Sequence, residues 1–312
     1  MAGSTPASPT RKMTATPVTA PTAIASQGWR RGAGPAAVES AWRRALRNPR
    51  VSISAFILLL IAAVSFGAPV LAPYSPTTLT DMPLLPPSSQ YLLGTDDFGR
   101  DALSRLLYAG QISLGVSIAS VLIATVIGVW LGLLAGYYRG WGETIIMRAM
   151  DLLLSFPTIV LAIAIVSALG ISLQNVIIVI AIVYIPRFVR VVFGATLAVR
   201  QSEYVQSARV IGAGDGRILR TAILPNVAAP ILVQTSLSLG FAILVETGLS
   251  FLGLGAQPPT PSWGNMVSAA RNVMELNPWL LIAPSAAIGI TILALNTLGD
   301  GLRDALDPRL RS

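Results

Sequence analysis

The sequence RQSEYVQSARVIGAGDGRILRTAILP, residues 200–225, is a polar stretch between two apolar segments that are each long enough to cross a bilayer. Its pattern predicts a short helix from Glu203 to Arg209 and a second short helix that starts at Asp215 and stops at Leu224-Pro225. Between them lie Gly212 and Gly214, and because glycine adopts backbone angles closed to other residues, they predict a hinge. This stretch, the 200–225 loop, is therefore the part of the chain best suited to bind a soluble partner.

The composition around this loop is that of an integral membrane protein. Of the 312 residues, 53% are hydrophobic and only 12% are charged, and the mean hydropathy is +0.67. The absence of Cys and His excludes thiol chemistry, the usual zinc sites and histidine-based catalytic triads. The net charge is +8, but the arginines are scattered beside apolar runs rather than along one soluble face, so we predict no nucleic-acid partner.

The first 50 residues differ from the rest of the chain. They are rich in Ala, Pro, Ser and Thr, carry eight of the 22 basic residues and have no sustained apolar period, which predicts a disordered basic tail. The first apolar run begins only at Val51, too late for a signal peptide, so it is expected to remain as an anchor. We therefore divide the chain into a tail over residues 1–50, a first membrane helix with an outer loop over residues 51–110, and a core membrane domain over residues 111–312.

Six segments are predicted to cross the membrane, which makes the fold class an all-α integral membrane protein with six transmembrane helices. Each has close to the ~20 residues that a hydrocarbon core of about 30 Å requires. The uncharged stretch 152–185 is too long for one helix, and GISLQN, residues 170–175, supplies the turn that divides it. The predicted spans are Val51–Leu71, Ser113–Tyr138, Thr144–Leu169, Asn175–Phe193, Ala228–Gly248 and Trp279–Leu298.

The basic residues predict the orientation. The face that carries both termini and the 200–225 loop holds 17 Lys and Arg residues, with Arg148 at the start of the third span included, and the opposite face holds three, with Arg187 and Arg190 left out. This bias places both termini and the 200–225 loop in the cytosol. Arg187 and Arg190 lie inside the fourth span, near its predicted inner end, where their side chains are expected to reach the interface.

The second span carries small residues at every fourth position, which lets another helix approach closely. Two interpretations remain open, packing within the chain and packing against another subunit. The positions are Ser120, Ala124, Gly128, Gly132 and Gly136.

The 200–225 loop resembles the cytosolic signature of permease subunits in bacterial ABC importers that depend on a binding protein. The consensus is Glu-Ala-Ala, three residues, Gly, and a short stretch that ends in Leu-Pro. Here Gln206-Ser207-Ala208, Gly212 and Leu224-Pro225 occupy those places, so Gln206 and Ser207 replace the first Glu and Ala.

Further motifs are similar to the C-type subunit of the dipeptide, oligopeptide and nickel branch of that family. Together they extend the resemblance over residues 45–310. They are LGTDDFGRDALSR at 93–105, MRAMD at 147–151, SFP at 155–157, ETGLSFLGLG at 246–255 and GDGLRDALDP at 299–308.

The resemblance implies a type I importer permease in the bacterial plasma (inner) membrane, with the 200–225 loop as a cytosolic coupling helix. It would pair with a homologous B-type permease, two cytosolic ABC ATPase subunits or one fused ATPase, and an extracytoplasmic substrate-binding protein. No cofactor is expected in this chain, because ATP and magnesium would be bound by the ATPase. The implied coupling residues are Glu203, Tyr204, Gln206, Ser207, Ala208, Arg209, Gly212, Ala213, Gly214 and Asp215.

The chain has no phosphate-binding loop of the form Gly-x-x-x-x-Gly-Lys-Ser/Thr, and Lys12 is its only lysine. We therefore expect no enzymatic activity in this chain. The resemblance implies di- or oligopeptides as cargo, with nickel, glutathione and haem as alternatives.

Acidic residues supply candidates for the transport pathway and its gate. Asp151 lies inside the third span, and Arg148, one turn earlier, is its expected partner. Near the outer end of the fifth span, Glu246, Ser250 and Phe251 lead into a proline-rich loop; they either line the outer gate or contact the binding protein, or form a purely architectural turn.

Four aspartates precede the second span in the longer outer loop, which raises the question of a metal site. Asp96, Asp97 and Asp101 adjoin a helix start near Arg100, where acidic side chains cap the helix and interact with its dipole. Capping explains these residues better than metal binding, so no metal site is predicted.

Two other functions fit the sequence less well. An intramembrane aspartyl protease would use Asp151 and Asp300, but Arg148 and Arg303 are expected to hold these acids ionised. An ion-driven secondary transporter is disfavoured because the sequence has no convincing internal repeat. The importer permease is the function that the motifs favour.

Overall fold

The computed structural model describes residue 3 and residues 48–306, so the predicted tail lies almost entirely outside the described residues. Within them the regular elements are all helical, as predicted. They are α1 Pro49–Phe66, α2 Ala68–Leu71, α3 Ala102–Tyr138, α4 Trp141–Leu154, α5 Thr158–Leu169, α6 Leu173–Arg200, α7 Glu203–Val210, α8 Asp215–Arg217, a π-helix Ile218–Ile223, α9 Leu224–Phe251, α10 Trp263–Ala270 and α11 Trp279–Leu306. Five helical segments are long and apolar enough to cross a membrane, or six if a bent pair counts as one span.

The bent pair corrects the third predicted span, Thr144–Leu169. Two helices, α4 and α5, meet there at 94°. Pro157 precedes α5, and a proline disfavours helical angles for the residue before it, so Phe156 leaves the helix. Ser155 Oγ also donates to the carbonyl of Leu152 at 2.6 Å, which helps to end α4.

Several helices are longer than predicted. The second span begins eleven residues earlier, at Ala102, because Asp101 caps it by accepting a hydrogen bond from the Ser104 N–H at 2.7 Å. The fourth continues to Arg200, so Arg187 lies near its middle and not near its inner end. The second short helix of the 200–225 loop also does not stop at Leu224-Pro225, because the π-helix runs directly into α9. The ring of Pro225 would clash with the preceding turn of an α-helix. The wider turns of the π-helix lie directly before this proline.

The small residues of the second span pack within the chain. Three glycines of α3 face Phe188, Val192 and Thr196 of α6, and a Cβ added to Gly132 would lie 2.7 Å from the Val192 Cβ. Ala124 joins a buried core formed by α3, α5, α6 and α9. The stripe therefore brings α3 and α6 together.

At the opposite end from α7, an ion-pair cluster holds the outer loop. Asp96 accepts hydrogen bonds from the backbone of Arg100 and from its side chain, and its Oδ2 lies 3.1 Å from Arg105 Nε. Arg105 also donates to the carbonyls of Pro76 and Pro259. The capping prediction fits Asp101, whereas Asp96 is linked to two distant loops through Arg105.

Candidate functional site

The helix α7 lies on the end of the bundle with one face buried. Val205 is fully buried, and Ala208 and Ala213 are half-buried in a cluster that also contains Tyr137 and Ile218. The predicted coupling residues other than Ala208 and Ala213 are exposed, namely Glu203, Tyr204, Gln206, Ser207, Arg209, Gly212, Gly214 and Asp215. The structure thus divides the predicted set into an anchoring side, with Ala208 and Ala213, and an open side, of which Arg209 and Asp215 also contact Tyr137.

Two polar contacts fasten this region to the end of α3. The Tyr137 hydroxyl donates to Asp215 Oδ1 at 2.5 Å, and the Arg209 guanidinium lies 4.8 Å above the Tyr137 ring. Because Tyr137 belongs to a membrane-spanning helix, a force on α7 or α8 reaches that helix directly. The continuous path from α8 through the π-helix into α9 provides a second connection.

The glycine-specific backbone angle expected at the predicted hinge occurs at only one of its two positions. Gly212 has φ of +83° and its N–H donates to the Arg209 carbonyl, while the next N–H, of Ala213, donates to Ala208. These bonds close the end of α7 in a manner that favours glycine. Gly214 has φ of −65° and ψ of 148°, which other residues adopt easily, so the expectation of a special backbone angle at Gly214 is wrong.

Two apolar residues on the open side are absent from the predicted coupling set. Val210 and Ile211 are 88% and 84% exposed, although both are large and hydrophobic. They directly precede Gly212 and do not lie on the helix face that buries Val205 and Ala208. Apolar residues off the buried face of an amphipathic helix are the sequence signal that could have identified them. Exposed apolar side chains beside charged ones are typical of a surface that another protein covers.

A second group of charges lies within the membrane-spanning helices. Arg190 Nη2 of α6 contacts Asp151 Oδ1 of α4 at 2.6 Å, so the predicted pairing of Asp151 with Arg148 is wrong. Arg148 was expected as the partner because it lies one turn from Asp151 on the same helix. The tertiary fold instead brings Arg190 of α6 beside α4. Both side chains remain about half exposed, at 51% and 44%.

One turn from this pair, Arg187 is held by aromatic rings. Its guanidinium carbon lies 4.8 Å from the Tyr184 ring centroid on α6 and 5.4 Å from that of Phe241 on α9. Such contacts stabilise a cation without neutralising it. Together these charges form the membrane charge cluster, comprising Asp151, Arg187 and Arg190.

Two of the three remaining gate candidates are enclosed. Glu246 is fully buried, and Ser250 Oγ donates to its Oε1 at 2.8 Å. Its Oε2 has no hydrogen-bond partner among residues 48–306. Phe251 is half-buried, with the Arg271 guanidinium carbon 5.9 Å from its ring. Glu246 and Ser250 therefore lie inside the helix packing and are not exposed to an open path.

Comparison with known proteins identifies the family. The family model described as "Binding-protein-dependent transport system inner membrane component" matches residues 128–312, which include both the 200–225 loop and the membrane charge cluster. The chain belongs to this permease family. A second model, "N-terminal TM domain of oligopeptide transport permease C", matches residues 38–87 of the permease. This membership contradicts the hypotheses of a protease using Asp151 and Asp300 and of an ion-driven transporter.

The permease is similar to named transport subunits over most of its length. It is 48% identical to the glutathione transport system permease protein GsiD of Pectobacterium atrosepticum over 87% of this chain and 91% of that protein. It is 42% identical to the di/tripeptide transport system permease protein DppC of Pseudomonas aeruginosa, over 89% and 94% respectively. The resemblance to C-type ABC importer permeases is therefore confirmed.

A solved structure supports the fold. The inward-facing MetNI methionine ABC transporter matches with a TM-score of 0.55 at 18% identity, over 65% of this chain and 97% of that chain. The permease thus has the helical fold of a type I ABC importer subunit and is a multi-pass inner-membrane transport component.

Proposed function

We propose that the permease forms half of the translocation pathway for di- or oligopeptides and transmits the work of cytosolic ATPase subunits through the 200–225 loop. A homologous B-type permease would form the other half, and an extracytoplasmic binding protein would deliver the cargo. The excess of basic residues on one face supports cytosolic termini. ATP and magnesium would be bound by the ATPase subunits.

The observation that carries this proposal is the two-sided arrangement of α7. One side is fixed to α3 through Tyr137, and the other presents Val210 and Ile211 beside exposed charges. A soluble subunit that covers this surface can move α3 and α9 together, because both are joined to the loop by packing or by continuous helix.

Charged substitutions on the open side test this docking surface. We expect the double substitution Val210→Asp and Ile211→Asp to abolish association with the ATPase subunits, because it places charge where apolar area is buried on docking. The measurement is co-purification of the ATPase with the detergent-solubilised permease. Leu79→Asp, at a residue 67% exposed in the loop at the other end, is the control. Normal association of the double variant with the ATPase would contradict the proposal that this surface docks on it.

Uptake into proteoliposomes tests the cargo. The assembled complex should import labelled di- and tripeptides only with ATP and binding protein present. Glutathione is the alternative cargo, because one similar permease is named for glutathione transport and another for di/tripeptides. If the complex imports glutathione and excess dipeptide does not reduce this uptake, the result would favour glutathione as the cargo and contradict the peptide proposal.

A further inference from the structure

Arg187 places a full positive charge at the middle of a membrane-spanning helix. It lies about 20 Å along α6 from both Leu173 and Arg200, as judged from the helical rise. A charge at that depth is costly in lipid, so it is a candidate for function wherever it is found.

No carboxylate of this chain neutralises Arg187 in the part that the structure describes. Across residues 48–306, ion pairs within 4.0 Å join other arginines to acids, and Arg187 has neither an ion pair nor a side-chain hydrogen bond. The nearby acid Asp151 is bound to Arg190. The rings of Tyr184 and Phe241 fix the position of the guanidinium but satisfy none of its five N–H donors.

The surroundings of Arg187 form an open face of the chain. Phe241 is 46% exposed. Gly194, two turns from Arg187 on the same side of α6, is exposed, and an added Cβ there would have no atom within 4 Å. The half-exposed pair of Arg190 and Asp151 adjoins this face. A guanidinium and an ion pair within membrane-spanning helices are costly in lipid, so this face is better placed against the space between the two permeases than against lipid.

We propose that Arg187 binds the carboxylate of the transported peptide as it passes the middle of the membrane. This rests on the proposed function and deepens it. A guanidinium matches a carboxylate with two parallel hydrogen bonds, and here its donors are free while its position is fixed. One turn nearer Arg200, Arg190 is paired with Asp151, and this pair has no net charge. The peptide carboxylate is therefore attracted to Arg187 and not to Arg190.

The test measures uptake in proteoliposomes of the whole complex, with saturating binding protein. The substrates are dialanine amide, dialanine and alanyl-aspartate, which carry no, one and two carboxylates, and the readout is the uptake rate of each variant divided by that of the wild type. For Arg187→Gln, we expect this ratio to fall with each added carboxylate, with about a tenfold greater loss for the aspartate peptide than for the amidated peptide. Arg187→Lys keeps the charge, so its ratios should vary much less across the series.

The control is Arg148→Gln, which removes an exposed guanidinium from α4, where the ratio should not depend on peptide charge. Equal losses for all three peptides with Arg187→Gln would overturn the proposal and indicate a counter-charge supplied by the other permease. Unchanged uptake would also overturn it. If the wild-type complex imports another cargo, the proposed peptide function fails separately, and the same ratio is then measured on the carboxylated and amidated forms of that cargo.

Discussion

At position 212 the backbone requires glycine. The φ of +83° lies in the left-handed region, and two hydrogen bonds close the C-terminus of α7 around it. An L-residue in that region costs about 1–2 kcal/mol, which is enough to open the end of the helix in a substantial fraction of molecules. Val210 and Ile211 lie directly before this point, so the same turn sets the position of the exposed apolar pair.

We therefore expect Gly212→Val to reduce coupling at the end of α7. A valine disfavours the required angle, and the displaced turn would move the apolar pair away from its docking position. The measurement is the number of peptides imported per ATP hydrolysed, which should fall about fivefold or more. Gly214→Val is the matched control, because its backbone angles suit any residue and an added Cβ has no atom within 4 Å. Equal effects of the two substitutions would contradict the role of the backbone angle.

At the scale of helices, the contact between α3 and α6 depends on the absence of side chains. The glycines of α3 lie against α6 so closely that a Cβ at Gly136 would be 2.8 Å from the Thr196 Cβ. The sequence predicted close approach from the four-residue spacing but left the partner open. Only the fold assigned that partner to the same chain, because spacing along one helix contains no information about which helix lies opposite.

We expect Gly132→Ala to destabilise the permease by about 1–3 kcal/mol, because the new methyl group overpacks the interface with Val192. Thermal unfolding in detergent should show a lower midpoint. Gly115→Ala in the same helix has no atom within 4 Å of the new Cβ, so its midpoint should be unchanged or slightly higher. An unaltered midpoint for Gly132→Ala would show that α3 and α6 separate easily.

At the scale of the whole molecule, the bend between α4 and α5 and the ion pair to α6 lie close together. Asp151 lies four residues before Ser155, where the bend begins, and it contacts Arg190 of α6. The pair therefore links the bent span to the helix that carries Arg187. Movement of α4 relative to α6 requires this contact to break or shift.

Exchange of the two charges tests whether this contact matters for transport. We expect Asp151→Arg alone to impair uptake strongly, because it places three cations in the membrane charge cluster. Adding Arg190→Asp should restore most of the uptake, since the opposite charges face each other again. The measurement is ATP-dependent uptake at equal complex content, with Arg190→Asp alone as the companion variant. Failure of the double variant to recover would contradict a role for the pair itself.

Apolar run length, charge bias and local motifs are properties of contiguous residues. They were therefore enough to predict a helical membrane protein, most of its spans, the position of α7 and the resemblance to importer permeases. The fold was needed to show that Asp151 pairs with Arg190, that the α3 glycines face α6 and that Gly214 needs no special angle. It also showed that Val210 and Ile211 are exposed while Glu246 is buried. These features depend on which helix lies beside which, and the interactions that select those neighbours join residues far apart in the chain.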